Sequence, residues 1–119
     1  MKVLNQEQLL QSQDTKMEIG NNKIHKWIQE KKAFHFLDVR RDDEREICHL
    51  GGVHIPLHEL EVRFQELPHD KNPIIIYCHH GVRSLHAAQF LKFHGYDALS
   101  LRGGIDAWSI EIDPNVPRY

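Results

Sequence analysis

Residues 74–84 read IIIYCHHGVRS, and this stretch decides the fold. Ile74 to Tyr77 are apolar, β-branched or aromatic in succession, as a strand buried on both faces requires. Asn72-Pro73 opens the strand and Cys78 bounds it. A polar loop containing Gly81 follows, and from Ser84 to His94 the residues Leu85, Ala88 and Leu91 recur along one side of a helix that Gly95 stops. A buried strand passing through a short loop into a helix is the unit of a parallel α/β sheet.

The flanking sequence repeats the pattern. Ala33 to Val39 (AFHFLDV) reads as a second buried strand, with Asp38 and Arg40 at its end. Before it, Met17-Glu18-Ile19 is a possible short strand, Gly20-Asn21-Asn22 supplies turn and N-cap chemistry, and Ile24, Trp27 and Ile28 share one helix face. After it, Asp42 to Ile47 makes a helical turn, Gly51-Gly52 breaks the chain, and Val53 to Ile55 is a short strand closed by Pro56. Leu57, Leu60, Phe64 and Leu67 mark an amphipathic helix over 57–66 that Pro68 cannot extend. Ala98 to Leu101 is a last strand, Gly103-Gly104 a turn, and Ile105 to Trp108 a short helix. The expected fold is a three-layer α/β domain over residues 15–119, with a mainly parallel sheet of about five strands covered by helices on both faces. Residues 1–14 read as an N-terminal helix or polar tail.

A chain of 119 residues fits one such domain. Its 40% hydrophobic and 27% charged residues are ordinary for a globular protein. Fifteen basic and 17 acidic side chains leave a net charge of −2, which offers no general attraction to nucleic acid or to an anionic membrane. No stretch approaches the roughly 20 apolar residues of a membrane span, and the amino terminus lacks the apolar run of a signal peptide. The expected location is therefore the cytoplasm, where Cys48 and Cys78 would be free thiols. The ten histidines are scattered and no CxxC pair appears, so no metal and no cofactor is expected.

The chemistry should lie at Cys78. Ligands of parallel sheets collect at the carboxyl ends of central strands. There the next helix presents unpaired N–H groups and the positive end of its dipole. Gly81 permits positive φ and so lets the loop turn its N–H groups inward as an anion nest. A helix terminus is worth up to about 2 kcal/mol to a well-placed charge. The loop, with Arg83, should thus favour the thiolate of Cys78, which is the nucleophilic form. The plainer alternative is a structural cysteine that packs like a small hydrophobe. That is the expected role of Cys48, between Ile47 and Leu50.

These residues resemble the rhodanese family. CHHGVRS is similar to that family's Cys-x-x-Gly-x-Arg-Ser loop, and LDVR at 37–40 to its strand-ending Leu-Asp-Val-Arg. EREICHLGGVHIP at 44–56, GYDALSLRGGIDAW at 95–108 and the tail IDPNVPRY at 112–119 resemble further family stretches in the same order. Gly51 stands where the family usually has Pro, and His79 where many thiosulfate-using members carry Arg or Lys.

The resemblance implies a sulfurtransferase that holds a persulfide on Cys78 in a loop made of His79, His80, Gly81, Val82, Arg83 and Ser84, supported by Asp38, Arg40 and Glu44. Its partners would be small-molecule or protein sulfur donors and acceptors. Arg83 would orient the loop and help hold the anion, or else pair with Asp38 or Glu44, and Asp38 would pin the loops. Related phosphatases and arsenate reductases use a loop one residue longer, so the four residues between Cys78 and Arg83 suit a terminal sulfur better than a phosphate. An interaction module that keeps the fold without catalysis is the main alternative. A phosphatase or a metal site at Cys78, His79 and His80 ranks below it.

Overall fold

The computed structural model describes residues 17–119. The helix or tail expected over residues 1–14 lies outside them. Five strands form one parallel sheet: β1 (Glu18–Ile19), β2 (His35–Asp38), β3 (Val53–His54), β4 (Ile74–Tyr77) and β5 (Ala98–Leu101), in the spatial order β1-β5-β4-β2-β3. Five helices connect or follow them: α1 (Asn21–Gln29), α2 (Asp42–Ile47), α3 (Leu57–Arg63), α4 (Val82–Phe93) and α5 (Gly104–Glu111). A 3₁₀ turn, Phe64–Glu66, continues α3. Among the described residues no helix is long and apolar enough to cross a membrane.

β4 is the central strand, and every residue of it is buried. Its register pairs Ile74 with His35 and Tyr77 with Asp38 on one side, and Ile74 with Ala98 on the other. Because strand side chains alternate between faces, Ile74, Ile76 and Cys78 join one core layer with Leu60, Leu67, Ala87, Ala88 and Leu91 of α3 and α4 and their flanks. Ile75 and Tyr77 join the opposite layer with Ile24, Trp27, Ile105 and Trp108 of α1 and α5. One sheet with helices on both faces is the expected architecture.

Local boundaries differ from the sequence reading. α4 begins at Val82, two residues before Ser84, because the left-handed Gly81 (φ 109°) serves as its N-cap. α5 runs to Glu111, well past Trp108. Ile28 does not share the buried face of Ile24 and Trp27. It is 45% exposed, and Asn21 takes the third buried position on α1, donating from Nδ2 to Glu111 on α5 at 2.9 Å. The Asn21 side chain is therefore a link between helices, and Gly20 is the N-cap.

Candidate active site

Cys78 follows the last residue of β4 and is 1% exposed. Its Sγ accepts the Gly81 N–H at 3.0 Å and the Ser84 N–H at 3.4 Å. The Cys78 thiol also lies 3.3 Å from Ser84 Oγ, to which it donates. Ser84 Oγ is itself fixed, donating to Gly81 O at 3.2 Å and lying 2.7 Å from Ser100 Oγ on β5. The loop thus presents two donors to the sulfur, both backbone amides at the start of α4. The positive φ of Gly81 turns its own N–H inward, a conformation costly for residues with a Cβ.

The back of the loop is held by α5. Ile105 N–H donates to Cys78 O at 2.9 Å and Asp106 N–H to His79 O at 3.1 Å. This close approach requires Gly104, where an added Cβ would collide with both of those carbonyl oxygens. The Gly103-Gly104 pair, read from sequence as a turn alone, is therefore a seat for the loop.

Three arginines and two carboxylates form the adjoining wall. Asp38, fully buried, accepts from Arg40 N at 3.0 Å, Arg40 Nε and Nη2 at 2.9 Å, and Arg45 Nη1 at 3.3 Å. Arg40, equally buried, donates onward to Cys48 O at 2.6 Å and to Tyr119 Oη at 3.0 Å. Asp38 thus pins the stretch from Arg40 to Arg45 that follows β2. Arg83 does not turn its terminal nitrogens onto the sulfur. Nη1 and Nη2 donate to Glu44 Oε1 and Oε2 at 2.6 and 2.9 Å. Between the two acids considered, Glu44 is the partner because Asp38 is already occupied by Arg40 and Arg45. The Arg83 hydrogen bonds hold the Glu44 carboxyl well below the usual carboxylate range.

The two loop histidines stack, ring centroids 3.9 Å apart, and Tyr119 stacks on the other side of His79 at 4.0 Å. Burial, with His80 as neighbour, pushes the His79 imidazole below its ordinary value, and its Nε2 is buried without a hydrogen-bond partner. His79 therefore supplies no fixed positive charge at neutral pH. His80 is exposed, 3.6 Å from Asp106. His79, His80 and Asp106 bring potential metal-ligand atoms within 4.8 Å of one another. Stacked imidazoles send their in-plane lone pairs side by side, however, and Arg118 already holds Asp106 at 2.7 Å, so the cluster is poorly shaped for one ion. Val82 lies on the loop's outer side, 69% exposed. Cys48 is buried, and its thiol donates to Pro117 O at 3.2 Å. A groove of about 800 Å³ beside Phe64, His94 and Tyr96 opens near the amino ends of β4 and β5, away from Cys78.

Sequence reasoning missed Ser100, Arg45, Gly104 and Tyr119 as members of this site. Only the Gly-Gly pair and the PRY tail carried a signal, through the family resemblance.

A cysteine at the carboxyl end of a central parallel strand, cradled by a short loop entering a helix, defines the class of site. A model of the rhodanese-like domain matches residues 21–111, and the chain belongs to that family. It is 29% identical over 82 residues to the thiosulfate sulfurtransferase GlpE of Vibrio cholerae, covering 68% of this chain and 77% of that protein. It is 30% identical over 118 residues to the adenylyltransferase and sulfurtransferase MOCS3 of Arabidopsis thaliana, of which it spans only a quarter (25%) while 85% of this chain is covered. A rhodanese-related protein from Thermoplasma volcanium superposes with a TM-score of 0.75 at 30% identity, over 87% of this chain and 99% of that one.

Proposed function

We propose that this chain is a sulfurtransferase that carries a sulfane sulfur as a persulfide on Cys78. The observation that carries the reading is the Cys78 Sγ, set at a helix N-terminus and accepting N–H groups from Gly81 and Ser84 inside a four-residue loop. The Cys78 thiolate attacks the outer sulfur of a donor such as thiosulfate or an organic persulfide. The new S–S bond forms as the donor's own S–S bond breaks, and sulfite or a thiolate leaves with the electron pair. The outer sulfur of the Cys78 persulfide is then attacked by an acceptor nucleophile, and Cys78 departs again as thiolate. No electrons are exchanged with an outside oxidant, so the chemistry needs no cofactor. Gly81, Ser84 and the helix dipole stabilise negative charge at each stage.

The names of the relatives support sulfur transfer, and the loop length favours a single sulfur over a tetrahedral oxyanion. Intact-mass spectrometry after incubation with thiosulfate or a persulfide donor tests the reading. A gain of about 32 mass units, removed by a thiol reductant, should map to Cys78 and vanish in Cys78→Ser. A gain that maps to Cys48 overturns the assignment. No gain from any donor favours an interaction module.

A further inference from the structure

The segment after α5, residues 113–119, runs back alongside the catalytic loop and is anchored at successive residues. Ser109 Oγ donates to Val116 O at 2.6 Å, the Cys48 thiol donates to Pro117 O, and Arg118 pairs with Asp106, whose own N–H holds His79 O. Tyr119 then reaches the site itself. Its hydroxyl donates to Glu44 Oε2 at 2.7 Å and accepts from Arg40 Nη1 at 3.0 Å, while its ring lies 8° from parallel to that of His79. Tyr119 belongs to neither core layer. Its contacts are to the Asp38–Arg40 pair, to the Glu44–Arg83 pair and to the residue after Cys78.

We propose that Tyr119 is a positioning residue for the reaction at Cys78, acting through Glu44 on Arg83 and through its stack with His79 on the loop. The inference rests on the sulfurtransferase reading above. Glu44 Oε1 accepts from Arg83 and from the Arg41 N–H, and Oε2 from Arg83 and Tyr119. The tyrosine hydrogen bond sets the plane of the carboxylate and draws charge from Oε2, and the forked guanidinium follows that plane. Without the hydroxyl, Oε2 retains Arg83 alone. The carboxylate then cancels the arginine charge more fully at the mouth of the loop. An anionic reagent approaching Cys78 meets a weaker attractive field, whereas a neutral one is indifferent to the change.

The test compares alkylation of Cys78 by iodoacetate and by iodoacetamide in the full chain, read by peptide mass spectrometry so that Cys48 does not contribute. In Tyr119→Phe, which keeps the ring, the ratio of anionic to neutral rates should fall by about fivefold, the net worth of one typical hydrogen bond. In a Glu44→Gln background the same substitution should leave the ratio unchanged, because its route to Arg83 has gone. A residue that merely stabilised the fold would slow or speed both reagents together. The proposal is overturned if Tyr119→Phe leaves the ratio at the wild-type value, or if its effect is the same with and without Glu44. Wild-type sulfur loading is measured alongside. Its absence would count against the sulfurtransferase reading, while loading with an unmoved ratio counts against Tyr119 alone.

Discussion

Arg83 on α4 and Glu44 on α2 meet in two hydrogen bonds, 2.6 and 2.9 Å long, between residues 39 positions apart in sequence. The Glu44 side chain is 3% exposed and that of Arg83 30%. The pair ties the N-terminus of the helix behind Cys78 to the segment that follows β2. The depressed Glu44 carboxyl has a defined consequence for acid stability. A carboxyl whose folded-state value lies below its unfolded value contributes stability that is complete above the unfolded value and is lost as pH falls toward the folded one. The unfolded reference is 4.5. The stability difference between wild type and Glu44→Gln should therefore be constant near neutrality, about 1–3 kcal/mol for a broken charged hydrogen bond. It should shrink as pH drops below about 4.5. Urea unfolding at a series of pH values measures it, and a difference that grows on acidification would contradict the pairing.

Gly104→Ala should damage the loop from behind. Its φ of 65° alone penalises a side chain by about 1–3 kcal/mol, before the added carbon meets the Cys78 and His79 carbonyls. A fall in thermal midpoint together with slower sulfur loading is the expected outcome. A variant that loads at the wild-type rate would show that α5 does not hold the loop in working geometry.

Ser84→Ala and Ser100→Ala separate the two hydroxyls beneath the sulfur. Both residues are buried, and loss of either leaves the other short of its 2.7 Å partner, a cost of about 1–3 kcal/mol. Only Ser84 contacts Cys78 Sγ through its side chain. Ser84→Ala should accordingly change the alkylation rate of Cys78, and Ser100→Ala should lower stability with a smaller effect on that rate. Equal rate effects would place the sensitivity in the core and not at the sulfur.

His79→Arg should speed reaction with thiosulfate selectively. The native imidazole is held below its ordinary value by burial first and by His80 second, so a guanidinium would introduce charge where there is now little. Guanidinium groups stack on aromatic faces, so Tyr119 would keep a partner. Comparing kcat/KM for thiosulfate with that for an uncharged alkylating reagent isolates the charge effect, and an equal gain for both would refute it.

The sheet was legible because its strands are short, apolar and separated by glycine, proline and helical spacing, and those signals are local. The same holds for the cradle. Four residues between Cys78 and Arg83, with Gly81 among them, specify a tight loop into a helix. The destination of each long side chain was not legible. Arg83 had two acids within its expected reach, and the choice depended on Arg40 and Arg45 filling Asp38, a competition that spacing does not encode. Tyr119 contacts Arg40 and Glu44 across 79 and 75 positions, so nothing local announces it. Ile28 failed for a different reason. A nine-residue helix buries only a narrow stripe, and helical period alone does not tell the centre of that stripe from its edge.

Because β4 alternates its side chains, the Cys78 sulfur continues the row of Ile74 and Ile76 and is counted among the same core neighbours as Ala87 and Ala88. The sulfur proposed to react is thus also a packing atom, with 1% of its residue in contact with solvent. Such a thiol is sheltered from peroxide and other dissolved oxidants, whose attack depends on access. On the sulfurtransferase reading, an acceptor reaches Cys78 only with a nucleophile slender enough to enter the loop, so the burial of one side chain acts as a filter on shape.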